Sequence, residues 1–127
     1  MPNWCENIIK ITGEESKMKA LVEKFKELET NDQPVMGFLL GTEDRPADFD
    51  QGGWYGYQIK KFGTKWDFRY NEDLDMEQCD TNIIYFRILT AWSPPCEFLK
   101  SLCEKYGVKA MIHYHEPGMG FAGTEEF

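Results

Sequence analysis

Asn82-Ile83-Ile84-Tyr85-Phe86-Arg87-Ile88-Leu89-Thr90-Ala91-Trp92 is apolar at nearly every position and rich in β-branched and aromatic side chains. A run of that composition reads as a strand in the middle of its sheet. Ser93-Pro94-Pro95 follows directly and opens a helix, with Ser93 as N-cap and Pro94 at the first helical position. Cys96, Leu99, Leu102, Cys103 and Tyr106 form the apolar stripe of that helix, and Gly107 ends it. Val108 to His115 is then a last strand, with Val108, Ala110, Ile112 and Tyr114 alternating against Lys109, Met111, His113 and His115.

Upstream, Asn71 to Asp80 carries five acids in ten residues and reads as an exposed hairpin loop. Before it, Gly63 suits a helix end or a tight turn into a strand. From Lys65 to Tyr70 the residues alternate, Trp66, Phe68 and Tyr70 against Lys65, Asp67 and Arg69, which predicts a strand. Residues 35–64 are irregular and read as an insertion, in which 54–62 has the spacing of a short helix. At the N-terminus, residues 4–12 are rich in β-branched residues and stop at Gly13, a first strand. Thr12 and Glu15 match a capping box, and Met18, Leu21, Val22, Phe25 and Leu28 recur at helical spacing beyond it.

The order strand, helix, strand, strand, helix, strand is the split β-α-β arrangement of ferredoxin-like folds. The expectation is an α+β sandwich, a four-stranded antiparallel sheet with two helices on one face. The strands starting at Trp4 and Asn82 form the inner pair, and those at Trp66 and Val108 the edges. The inner pair is expected to run parallel, which places Trp4 and Trp66 at opposite ends and lets Trp66, Trp92 and the turn at Glu116 share one end. The other sheet face stays open unless the insertion or the tail covers it.

A chain of 127 residues with 42% hydrophobic and 15% aromatic content fits one domain with one core. No apolar run is long enough to span a bilayer and no leader pattern is present, so the expected location is cytoplasmic. A net charge of -8 opposes binding to duplex DNA, and it also suits a decoy surface for a basic protein. Cys5, Cys79, Cys96 and Cys103 lack zinc or iron–sulfur spacing and read as reduced thiols.

The remaining motifs carry little chemistry. Gly118-Met119-Gly120-Phe121-Ala122-Gly123 matches G-x-G-x-x-G but lacks the helix and the distant acid of a dinucleotide site. Asp73, Asp75 and Glu77 lack the glycine turn and terminal glutamate of a calcium loop. His113 and His115 share one side of a strand without a placed third metal ligand. The basic-aromatic signature of RNA-binding sheets is absent from 82–92. The reading therefore assigns no metal and no cofactor.

Four blocks in order resemble the YubB-like, ferredoxin-like family of small proteins carried by phages, prophages and plasmids. They are Met1-Pro2-Asn3-Trp4-Cys5-Glu6-Asn7, Gly63-Thr64-Lys65-Trp66-Asp67, Thr90-Ala91-Trp92-Ser93-Pro94-Pro95 and Glu116-Pro117-Gly118-Met119-Gly120-Phe121-Ala122-Gly123. Phe62 departs from the tryptophan common at that position, and the segment after Gly123 is shorter than in many relatives. The resemblance implies a ferredoxin-like domain without an iron–sulfur cluster, no assigned activity, and a mobile-element context.

The candidate binding residues are Lys65, Trp66, Asp67, Trp92, Ser93, Glu116 and Met119, with two indoles as walls and the charged groups as polar contacts. The competing reading puts Trp66 and Trp92 in the core. The expected role is a non-enzymatic module that binds a host protein or a small ligand. The alternatives are a small hydrolase or nucleotide-processing enzyme using Asp67 or Glu116 as base, and an acidic decoy for a host nucleic-acid-binding or defence protein.

Overall fold

The structure, a computed structural model, describes residues 3–127. The elements in order are β1 (Trp4–Thr12), α1 (Glu15–Thr30), α2 (Val35–Leu40), a 3-10 turn (Phe49–Gln51), α3 (Gly53–Phe62), α4 (Tyr70–Asp73), β2 (Asp75–Cys79), β3 (Ile84–Ala91), α5 (Cys96–Tyr106), β4 (Lys109–Glu116) and β5 (Phe121–Glu126). The strands form one sheet in the order β2-β3-β1-β4-β5. Every neighbouring pair is antiparallel.

Strict alternation builds the core. On β1, Cys5, Asn7, Ile9 and Ile11 are buried, and on β3 Ile84, Phe86, Ile88 and Thr90 are buried beside them. Ala110 and Ile112 continue the layer on β4. Against it α1 lays Met18, Leu21, Val22, Phe25 and Leu28, the five positions its spacing predicts. Phe98, Leu99 and Leu102 come from α5. The Phe25 and Phe86 rings meet at 5.8 Å between centroids. Each such side chain, fully buried, contributes roughly 1.5–3 kcal/mol. The inserted helices α2 and α3 pack on α5, where Lys105 Nζ and Tyr106 OH donate to Leu39 O at 3.0 and 2.8 Å.

The inner strands run antiparallel, with Trp4 opposite Ala91 and Ile11 opposite Ile84, and the expected parallel pair is corrected. A helical crossover returns the chain parallel to the strand it left. Here each crossover skips one strand, so the skipped strand lies between the two and runs against both. The start of β1 therefore sits beside the end of β3 and the end of β4.

The edge strand also differs from the expected one. Lys65 to Tyr70 does not join the sheet; its one ladder contact is an isolated bridge between Arg69 and Pro34. The edge is β2, inside the acidic stretch expected to be a loop. Met76 faces Phe86 and Cys79 faces Ile84, but a bulge between Met76 and Gln78 spaces the two inward residues by three. That spacing hides the period of two by which a strand is recognised. The tail supplies a fifth strand, β5, on the free edge of β4.

Two expected helix caps are absent. The α1 helix starts after Glu14 with no side-chain cap, so the Thr12–Glu15 box does not form. The α5 helix starts at Cys96 rather than Pro94, and the Ser93 hydroxyl is engaged elsewhere. Among the described residues no helix is long and apolar enough to cross a membrane.

Candidate binding surface at the indole end of the sheet

Residues that alternate away from the core leave one sheet face uncovered. It carries Trp4, Glu6, Ile8 and Lys10 from β1, Tyr85, Arg87 and Leu89 from β3, and Lys109, Met111, His113 and His115 from β4. At the end where β1 begins, this face meets the segment leaving the insertion. The Trp4 and Trp66 rings lie 6.0 Å apart, tilted by 47°. The antiparallel inner pair brings them together, against the expectation of opposite ends.

None of the three indoles is sealed in the core: Trp4 is 40% exposed, Trp66 38% and Trp92 47%. Leu89 beside them is 52% exposed. Half-exposed indoles with an open leucine form the kind of apolar patch that soluble proteins keep for contact. Three depressions adjoin here. One of about 490 Å³ lies over Glu6, Ile8, Asp75, Arg87, Leu89 and His115. One of about 280 Å³ is lined by Trp4, Trp66, Asp73 and Leu89. One of about 440 Å³ is lined by Asn3, Trp4, Glu6, Leu89 and Glu116. Leu89 borders all three.

Hydrogen bonds between distant stretches hold this end. Asn7 Nδ2 donates to Cys5 O, Ile88 O and Thr90 Oγ1 at 3.1, 3.2 and 2.9 Å. Thr90 Oγ1 donates to Ser93 O at 2.7 Å, Thr64 Oγ1 to Ala91 O at 2.9 Å, and Ser93 Oγ to Gly63 O at 2.6 Å. Gly63 ends α3 at φ 84°, and a Cβ there would stand 3.1 Å from the Glu97 backbone nitrogen. Only glycine tolerates both the left-handed turn and that approach of α5.

Trp92 is the one non-glycine residue at positive φ among the described residues, at 74°. Its N–H donates to Asn3 O at 2.9 Å, while Ser93 N donates to Ala91 O at 2.9 Å. A bulky residue in this region is strained, and the bonds on either side hold it there.

The candidate residues separate by role. The Asp67 carboxylate accepts the N–H groups of Met36, Gly37 and Phe68 at 2.8, 2.8 and 2.7 Å, capping α2 from outside. Burial nonetheless pushes its pKa above the usual carboxylate value, against the lowering by those donors. Lys65 Nζ lies over the Trp66 ring at 4.7 Å and the Tyr55 ring at 5.8 Å. Ser93 is a structural donor. Glu116 is wholly buried, with Oε2 accepting the Met119 N–H, and the Met119 side chain is 64% exposed. Trp66, Trp92, Glu116 and Met119 thus contribute to the end of the sheet, whereas Asp67 borders the depression beside Trp4 and Trp66 with its carboxylate engaged by α2.

Sequence reasoning missed Trp4, Asn3, Glu6 and Leu89. The signal of the first three was the opening block around Trp4, which the expected direction of β1 carried to the far end, and Leu89 lay unremarked in the apolar run 82–92. The four cysteines are free, and burial pushes Cys5 and Cys103 up to about 11 and Cys96 to about 12. Cys96 also donates to Glu125 Oε2 at 2.8 Å, which favours its thiol form further. No group of three or more possible metal ligands occurs among the described residues.

A sheet with two helices on one face and an open, indole-bearing opposite face defines an α+β domain of the ferredoxin-like class. Residues 59–127 match the family described as the ferredoxin-like domain in Api92-like protein, more than half of the chain, and the chain belongs to that family. The crystal structure of a protein api92 from Yersinia pseudotuberculosis aligns over 100% of this chain and 94% of its own, with a TM-score of 0.63 at 10% identity, a likeness of fold. No curated protein matches the sequence.

Proposed function

We propose that this protein is a non-catalytic binding module, carried by a phage or other mobile element, that takes a host protein at the indole end of its uncovered sheet face. The observation that supports it is the Trp4–Trp66 pair, half-exposed where three depressions meet at Leu89. Tryptophan is enriched among residues that dominate binding energy, and rigid rings lose little entropy on contact. The acids Glu6, Asp73 and Asp75 on these walls, with a net charge of -8, favour a basic partner. This absorbs the decoy reading, since a nucleic-acid-binding host protein presents such a surface.

The hydrolase reading is weaker at Asp67. Its oxygens already accept three backbone N–H groups, so a substrate proton would compete with the cap of α2.

The test is capture of host proteins on the immobilised chain, followed by titration of any captured partner against Trp4→Ala and Trp66→Ala. Loss of about 2 kcal/mol of binding energy, roughly 30-fold in Kd, is expected in each variant. Wild-type affinity in both, with the variants folded by circular dichroism, would remove the indole surface as the site.

A further inference from the structure

Glu116 ends β4 with its side chain wholly buried. Oε2 accepts the Met119 N–H, while Oε1 has no hydrogen-bond partner among the described residues. Buried carboxylate oxygens almost always have a donor, so this one calls for an explanation. Gly118 lies directly against it. A Cβ at Gly118 would stand 3.0 Å from Glu116 Oε1 and 2.7 Å from Asn3 Oδ1, so two acceptor oxygens converge on the space that the glycine leaves. The same residues, with Trp4 and Glu6, wall the depression of about 440 Å³.

The charged side chains of that wall are both carboxylates, Glu6 and Glu116, set beside the Asn3 amide, the Trp4 indole and the apolar Leu89 and Pro117. A cation carrying several N–H donors satisfies both carboxylates and the amide oxygen. A guanidinium does so best, because its planar fork serves neighbouring oxygens while its face stacks on an aromatic ring. An anion would meet like charge from both carboxylates, with side-chain donors only on the Trp4 indole and the Asn3 amide nitrogen. The excess of 22 acids over 14 bases in the chain draws the same kind of group.

We propose that Glu116 and Asn3, walled by Trp4, form a receptor for the guanidinium of an arginine presented by the partner polypeptide. The proposal rests on the binding-module reading and specifies the group it recognises. Reaching Glu116 requires the Asn3 side chain and the Pro117–Gly118 turn to yield slightly. The contact is tight, since a Cβ at Gly118 would stand 2.7 Å from Asn3 Oδ1, and the absence of a side chain at Gly118 leaves the turn free to move.

The test uses the full chain, labelled with nitrogen-15, and capped tripeptides Gly-Arg-Gly, Gly-Lys-Gly and Gly-citrulline-Gly. The amide of Met119 and the indole N–H of Trp4 report binding. Saturable shifts at both are expected with the arginine peptide, about tenfold weaker with lysine, and absent with citrulline, which keeps the shape but not the charge. Glu116→Gln is expected to weaken the arginine peptide at least tenfold, and Gly118→Ala likewise, because its methyl enters the cradle.

Equal binding of citrulline or lysine, or unchanged affinity in Glu116→Gln, would overturn the receptor, as would no shift at Met119 at millimolar peptide. Should Glu116→Gln fail to fold, Gly118→Ala and the peptide series decide. A captured partner that depends on Trp66 yet binds Glu116→Gln at wild-type affinity would remove the receptor and leave the binding module standing. A partner indifferent to the indoles would remove the module whatever the tripeptides do.

Discussion

Trp92 holds a left-handed backbone that costs a non-glycine residue about 1–2 kcal/mol, yet almost half of its surface faces water. The strain is therefore not offset by deep burial of the indole. The comparison of Trp92→Gly with Trp92→Ala isolates the backbone, since both remove the ring and only glycine relaxes. Trp92→Gly is expected to be more stable than Trp92→Ala by about 1 kcal/mol in urea unfolding with equal slopes. An alanine variant as stable as the glycine variant would show that the backbone there is unstrained. At this scale the sequence was only partly legible. Ser93-Pro94-Pro95 reads as a helix start, but the Ser93 hydroxyl donates to Gly63 O, from a segment thirty residues upstream. Local pattern cannot foresee a partner that only the folded chain supplies.

At the scale of elements, Asp67 is the clearest case of a charged residue outside any helix working on a helix distant in sequence. Removing it leaves the N–H groups of Met36 and Gly37 without their acceptor. Asp67→Ala is expected to lose about 1–3 kcal/mol of unfolding free energy, and Asp67→Asn less, because its amide oxygen still accepts. Equal stability of Asp67→Ala and wild type would show that water replaces the carboxylate at no cost. The elements β1, α1, β3, α5 and β4 were legible because each keeps a clean period against the core. The edge β2 was not, since its bulge sets Met76 and Cys79 three apart. The run from Lys65 to Tyr70 has a strand's period without a strand's place. Phe68 is buried and Trp66 half-exposed although alternation puts them on one side, because Asp67 and the Arg69 bridge tie the run to α2 instead of the sheet.

For the whole molecule, the buried Cys5 and the half-buried Cys96 and Cys103 make stability fall at alkaline pH. Cys5, Cys96 and Cys103 ionise near 11, 12 and 11 when folded, against 9.0 in the unfolded chain. The unfolded state therefore releases these protons first, and stability that is intact below pH 9 declines as pH rises towards 12. Urea midpoints at pH 8 and 10 check the sign: a higher midpoint at pH 10 would contradict the burial of these groups. Iodoacetamide should also alkylate the folded chain slowly at pH 8, with all four thiols released by urea. At this scale the layer order and the uncovered face were legible from the element order, but the meeting of Trp4 with Trp66 required the true strand directions. One feature of the chain path reaches further. Pro34 and Arg69 form a bridge, with Val35 N–H donating to Phe68 O at 2.8 Å, so the two ends of the 35–68 excursion are tied together, while Val35, Met36, Leu39, Phe62 and Phe68 anchor it in the core. An excursion closed at its base and packed along its length moves with the body rather than as a flap. Trp66 therefore stands on a fixed base, and a change within 35–68 that loosens Phe62 or Phe68 is expected to displace the wall it supplies and to lower stability together.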